Sequence, residues 1–155
     1  MDNYFKSGDI VGLVGVGKLG SKLRDEALTA GCEVILCDPP RAFAEADELS
    51  ESFFDLWGNG MGGCQLTNVG METFVPLEKI ARATVISIQV PLTRDGKYPT
   101  FGMITAEFLA SCRPDVRILC WSSPEVVSPE AIGDKRLVFM GEEEKGLLQN
   151  CSQAL

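Results

Sequence analysis

The sequence predicts an α/β protein built on one doubly wound sheet of parallel strands, and three observations carry that prediction. Apolar runs of five to seven residues alternate along the chain with segments whose apolar residues recur at helical spacing. The first run, Ile10-Val11-Gly12-Leu13-Val14, passes directly into Gly15-Val16-Gly17-Lys18-Leu19-Gly20 and then into a helix pattern. The second run, Glu33 to Asp38, ends on an acid eighteen positions after Gly20. Strands that alternate with helices pair in parallel through right-handed crossovers, which places helices on both faces of the sheet.

The elements follow in chain order. After the first strand, Leu19, Leu23, Ala27 and Ala30 form the apolar stripe of a helix, with Ser21, Lys22, Arg24, Asp25 and Glu26 on its wet side. Gly31 stops that helix, and Glu33-Val34-Ile35-Leu36-Cys37-Asp38 is the second strand. An insertion from about 42 to 75 comes next, longer than a usual connection. Within it Leu49, Phe53 and Leu56 or Trp57 have helical spacing and Gly58 to Gly63 reads as a loop. Phe53, Phe54, Leu56 and Trp57 are expected to pack on the sheet edge. Pro76 to Ala83 reads as a short helix with proline in its first turn, leading into the strand Thr84 to Val90. Ile104, Phe108, Leu109 and Cys112 mark a helix capped by Thr105, and Val116 to Trp121 is another strand. A short helix near Pro129 to Ile132 and the strand Arg136 to Met140 complete a single domain, residues 1–155, with its core at about 8–141.

The glycine segment has a physical reading residue by residue. Gly15 permits a tight strand-to-helix turn, Gly17 lets a pyrophosphate approach the backbone, and Gly20 allows close packing of helix on strand. The pyrophosphate would sit at the helix N-terminus, where unpaired N–H groups and the helix dipole favour an anion. In this strand–turn–helix context, with Asp38 closing the next strand, the spacing is the dinucleotide-binding fingerprint. A carboxylate at Asp38 accepts from ribose hydroxyls and repels a 2′-phosphate, which points to NAD over NADP; Arg41, able to pair with such a phosphate, is the counter-signal. The competing reading is that the glycines only make a turn and Asp38 only caps a loop.

Composition narrows the function classes. A net charge of −8 is wrong for a nucleic-acid partner, no apolar run approaches a membrane span, and the N-terminus lacks the apolar core of a signal peptide. The expected location is the cytoplasm. The six cysteines show no C-x-x-C spacing, and with no histidine in the chain a zinc site is disfavoured, so no metal is expected. Cys32, Cys37, Cys112 and Cys120 fall in or beside apolar segments as small hydrophobes, which leaves Cys64, in the glycine-rich loop, as the candidate reactive thiol.

Three segments carry a family resemblance: Val11 to Gly20, Leu36-Cys37-Asp38-Pro39-Pro40-Arg41, and Val90-Pro91-Leu92-Thr93-Arg94-Asp95-Gly96-Lys97-Tyr98-Pro99-Thr100. Together, from about residue 8 to 140, the chain resembles the coenzyme domain of the erythronate-4-phosphate dehydrogenases, which are D-isomer-specific 2-hydroxyacid dehydrogenases. The resemblance implies a Rossmann-type domain that holds NAD. Its implied contact set is Gly15, Val16, Gly17, Lys18, Leu19 and Gly20, then Asp38, Pro39 and Pro40, then Gln89, Val90 and Pro91.

The departures bear on chemistry. Against the family's catalytic arginine, which follows the strand ending at Trp121, this chain aligns Ser123, and the family's catalytic histidine has no counterpart. Gln89 stands where the family has a histidine ahead of its Pro-Leu pair; a glutamate among Glu142, Glu143 and Glu144 falls near the family's acid, in a run expected to be a solvated face. The family's substrate domain is also expected to be absent. Hydride transfer at a hydroxyl needs a base and a cation for the substrate carboxylate, so no catalytic residue is assigned. Three functions remain in play. The first is a single-domain NAD-binding module without redox chemistry of its own. The second is an oxidoreductase completed by a partner chain, or one using Glu125 or Glu142 as acid and base. The third is an interaction protein on a relic fold, with the 42–75 insertion as its contact surface. A protein partner or homo-oligomer accompanies each.

Overall fold

The computed structural model describes residues 4–39 and 74–141. They form strand β1 (Ile10–Val14), helix α1 (Lys18–Thr29), strand β2 (Glu33–Cys37), a 3-10 helix (Leu77–Arg82), strand β3 (Val85–Ile88), helix α2 (Ala106–Ser111), strand β4 (Arg117–Cys120), a 3-10 turn (Pro124–Val126) and strand β5 (Leu137–Phe139). The sheet order is β2-β1-β3-β4-β5 and every pairing is parallel, as the alternation of elements predicts. Beyond β2, Phe74 makes a single parallel bridge to Leu36, and Val75 donates its N–H to the Leu36 carbonyl at 2.8 Å. That places the end of the expected 42–75 insertion in the sheet, at the position of a further edge strand. With Phe74 counted, the order matches the doubly wound 3-2-1-4-5-6 arrangement, whose direction reverses between β1 and β3.

Both faces of the sheet are buried, so its strands read as near-continuous apolar runs. Val11, Leu13, Val85, Leu119 and Trp121 pack on one face with Leu23 and Ala27 of α1. Val14, Ile86, Ile88, Ile118 and Cys120 pack on the other, with Ile80 of the 3-10 helix and Phe108 and Leu109 of α2. The predicted stripe of α1 holds at Leu23 and Ala27, while Leu19 and Ala30 are half-buried at its edge. Gly31, with φ at +89°, turns the chain out of α1 toward β2. Thr105 caps α2 as expected, its hydroxyl accepting the Phe108 N–H at 3.1 Å.

Local details differ from the expectations. The short helix after Pro76 forms and is of 3-10 type, Leu77–Arg82, with Pro76 as its N-cap. No helix forms at 129–132; Ala131 N–H bonds Ser128 O and Asp134 N–H bonds Ala131 O, a pair of turns that reverse the chain into β5. Pro124–Val126 instead makes a 3-10 turn capped by Ser123. The aromatic and glycine-rich features expected between 42 and 73, with Cys64, Pro40 and Arg41, lie outside the described residues, as do Glu142 to Glu144. Among the described residues no helix is long and apolar enough to cross a membrane.

Candidate functional site

Where the strand order reverses, the ends of β1 and β3 open onto a cavity of about 490 Å³. Ligands of open α/β sheets bind outside the carboxyl ends of strands at such a point. Of the residues expected to hold a dinucleotide, Gly15, Gly17, Asp38, Pro39, Gln89, Val90 and Pro91 line this cavity. Val16, Lys18, Leu19 and Gly20 flank it: Val16 is buried, Lys18 is exposed and Leu19 is half-buried.

The three glycines do separate work. Gly15 has φ at +95°, and a Cβ there would also lie 2.6 Å from the Gln89 carbonyl oxygen, so the turn needs glycine twice over. At Gly20 a Cβ would come within 2.2 Å of the Gly15 carbonyl oxygen, which is why α1 can start so close under β1. Gly17 differs. A Cβ on it would meet no protein atom within 4 Å, and Gly17 is one of the residues that line the cavity. It is also the N-cap of the twelve-residue α1, whose first turn carries no acid. A helix start without a side-chain acceptor leaves backbone N–H groups for an anion, so the residues fit a pyrophosphate here.

Asp38, just past β2, reaches back to this turn: its Oδ2 accepts the Val16 N–H at 2.8 Å. The carboxylate therefore braces the glycine loop, the capping role of the competing reading, and also lines the cavity. Gln89 turns its amide inward. Its nitrogen donates to the carbonyls of Val14 at 3.1 Å and Gly15 at 2.7 Å. Its oxygen accepts from the Ser87 hydroxyl at 2.7 Å. Val90 is held by the Ser122 hydroxyl, which accepts its N–H at 2.7 Å.

The opposite wall was only partly legible. Thr93, Lys97, Tyr98, Pro99, Thr100 and Met103 line the cavity from a loop that closes on itself. The Thr93 N–H donates to the Thr100 hydroxyl at 2.8 Å, and the Phe101 N–H donates to the Thr93 carbonyl at 2.9 Å. Two threonines flanking Asp95-Gly96 were the available signal for such a turn. Cys37 also lines the wall; burial, then the charges of Asp38 and Glu78, push its thiol up to about 12, so it stays protonated. Cys32, Cys37, Cys112 and Cys120 are buried and form no disulfide.

Residues proposed for chemistry lie elsewhere. Ser123 is a cap whose hydroxyl accepts the Glu125 N–H at 3.4 Å, and Glu125 pairs with Arg94. Arg94 also lies over the Phe101 ring at 4.7 Å. Glu125 and Phe101 border a second hollow of about 310 Å³, away from the glycine turn. Among the described residues no cluster of metal-ligating side chains occurs.

No protein-family model matches the chain. Its sequence is 32% identical over 133 residues to erythronate-4-phosphate dehydrogenase of Photorhabdus laumondii, covering 84% of this chain and 29% of that protein. The chain is a relative of the erythronate-4-phosphate dehydrogenases. The Serratia proteamaculans enzyme of that name is 36% identical over 110 residues, covering 70% of this chain and 23% of the enzyme. The chain thus spans less than a third of the length of these relatives. Among solved structures, NAD+-bound 3-phosphoglycerate dehydrogenase of Entamoeba histolytica superposes with a TM-score of 0.58 at 16% identity, over 96% of this chain and 43% of that one. The NAD-complexed D-isomer-specific 2-hydroxyacid dehydrogenase of Lactobacillus delbrueckii gives 0.52 at 18% identity, over 88% and 36%. These two likenesses are of fold: the five-stranded parallel sheet is of Rossmann type.

Proposed function

We propose that the chain is a NAD-binding module that performs no dehydrogenation by itself. The observation that carries this is Gly17, where an added Cβ would meet no neighbouring atom, set beside a cavity and at the start of α1. A side chain there would crowd whatever sits at the helix start rather than the protein itself. Bound NAD would supply a hydride-accepting nicotinamide; the chain's own part is to hold and orient the dinucleotide. Backbone N–H groups at the start of α1 would take the pyrophosphate. The Asp38 carboxylate, at the cavity wall, would face the ribose hydroxyls, and its charge would disfavour a 2′-phosphate.

The missing chemistry supports the second half of the proposal. The chain contains no histidine, Ser123 is occupied as a cap, and Glu125 is tied to Arg94. A proton acceptor and a carboxylate-binding cation each contribute orders of magnitude to a rate, and groups that act as a unit cannot replace one another singly. A second reading has one observation in its favour. Because the chain spans less than a third of its dehydrogenase relatives, a further polypeptide segment could complete a 2-hydroxyacid oxidoreductase around this cofactor.

Isothermal titration with NAD, NADH and NADP, alongside NADH production at 340 nm from 4-phosphoerythronate and simple D-2-hydroxy acids, tests both halves. The expected result is saturable NAD binding, weaker NADP binding and no turnover. Absence of NAD binding sinks the module; robust turnover by the unmodified chain replaces it with the enzyme.

A further inference from the structure

Ser87 is fully buried in the middle of an apolar sheet face, between Val85 and the β4 residues Leu119 and Trp121. A hydroxyl there is costly unless it is hydrogen-bonded. It is bonded on both sides: it accepts the Trp121 indole N–H at 2.9 Å and donates to the Gln89 side-chain oxygen at 2.7 Å. Chemistry fixes the direction of each step. An indole only donates and the Val14 and Gly15 carbonyls only accept, so the Gln89 nitrogen must face β1 and its oxygen must face Ser87. The result is a one-way chain of hydrogen bonds from Trp121, at the end of β4, to the glycine turn after β1.

The far end of that chain is held from two sides. The Gly15 carbonyl lies against Gly20, where even a Cβ would come within 2.2 Å, and it receives the Gln89 amide at 2.7 Å. Gripped this way, the Gly15–Val16 peptide plane has one orientation. It sets where the Val16 N–H meets Asp38 and how the chain enters α1. At the other end Trp121 is nearly buried, with the Tyr4 ring edge-on at 5.5 Å between centroids.

We propose that Gln89, oriented by Ser87 and Trp121, is a positioning residue that fixes the glycine turn, and that the buried indole of Trp121 thereby senses what the turn binds. The sensing half rests on the NAD reading above; the positioning half does not. Gln89 was expected from the sequence to face the cofactor, and the same side chain is better placed to shape the cofactor's seat.

The test uses the full chain labelled with 15N and carrying Trp57→Phe, which leaves Trp121 as the one indole of the two in the sequence. Three quantities are followed: the Trp121 indole cross-peak, amide exchange at Gly15, Val16 and Gly17, and NAD affinity by calorimetry. Gln89→Met keeps the length of the side chain and removes its hydrogen bonds. It is expected to move the indole peak, to speed exchange at the turn about tenfold relative to amides of β4, and to weaken NAD at least about tenfold. Ser87→Ala leaves the Gln89 amide on Gly15, so exchange at the turn rises only about threefold. In the parent, NAD shifts the indole peak; in Ser87→Ala, NAD binds without shifting it. Unchanged exchange at the turn in Gln89→Met, or an indole peak that neither substitution moves, overturns the proposal. If the parent fails to bind NAD, the sensing half falls with the module reading, while exchange and the indole peak still decide whether Gln89 positions the turn. Should Gln89→Met not fold, exchange in Ser87→Ala decides alone: a rise supports the relay and no change overturns it.

Discussion

Gly17 and Gly20 stand three residues apart at the start of α1 and are expected to fail in different ways when substituted. A Cβ at Gly20 would sit 2.2 Å from the carbonyl oxygen of Gly15 and 3.1 Å from its carbon. Both atoms are backbone, and that carbonyl is already held by the Gln89 amide, so neither yields readily. Gly20→Ala must therefore push α1 off the sheet by about 1 Å, an overpacking cost of about 1–3 kcal/mol, which lowers Tm by several degrees. At Gly17 the same added atom meets nothing within 4 Å, and φ is −88°. Gly17→Val should cost less stability than Gly20→Ala, since its side chain meets open space rather than backbone. Its effect falls on the ligand. A branched side chain in the path of a pyrophosphate costs about 1–3 kcal/mol, or roughly tenfold to a hundredfold in NAD affinity. Scanning calorimetry and NAD titration on the same preparations separate the two variants. The reasoning is refuted if Gly17→Val lowers Tm as much as Gly20→Ala while binding NAD as tightly as the parent.

Other outcomes follow from single contacts. Asp38→Asn keeps an oxygen for the Val16 N–H and removes the charge, so the preference for NAD over NADP should narrow about tenfold; an unchanged ratio on calorimetric titration would show that Asp38 does not discriminate. The Asp134 carboxyl, gripped by Arg136 through Nε at 2.9 Å and Nη2 at 2.7 Å, is held down to about 2 from an ordinary 3.8. Its folded value lies below its unfolded one, so its contribution is full above about pH 4 and lost as pH falls toward 2. At this partly exposed site it amounts to about 1–2 kcal/mol, which Asp134→Asn should remove; denaturant midpoints across that window check it. The buried thiol of Cys37, pushed up to about 12, should resist iodoacetamide at pH 8 in the native chain, and rapid labelling read by mass spectrometry would contradict its burial.

Most of the sheet was legible because periodicity and the glycine fingerprint depend on local chemistry. β1, β2, β3, β4 and β5 all fall within the apolar runs, and the Thr105 cap follows from a hydroxyl ahead of an apolar stripe. Short elements were less legible. Leu77–Arg82 is a 3-10 helix, a type that apolar spacing does not distinguish from an α-helix over six residues, and the 3-10 turn at Pro124–Val126 is signalled only by the cap-and-proline pair Ser123-Pro124. Spacing alone sets Gly15, Gly17 and Asp38 beside one another, and all three line the cavity. The inward turn of Gln89 could not be read from spacing, because it depends on Ser87 and Trp121 meeting across strands 34 residues apart in sequence. The loop from Thr93 to Phe101 closes through side-chain hydroxyls on its own backbone, a pattern that hydropathy does not register.

The central claim is that the cavity between the glycine turn and the Thr93–Thr100 loop is the seat of a dinucleotide. Titration of the 15N-labelled chain with NAD, followed amide by amide, tests it most directly. The account expects shifts concentrated at Gly15 to Gly20, Asp38, Gln89, Val90, Thr93 and Thr100, saturating together with one affinity. Shifts gathered instead around Phe101, Glu125 and Ile132 at the second hollow, or no shifts at saturating NAD, would contradict it.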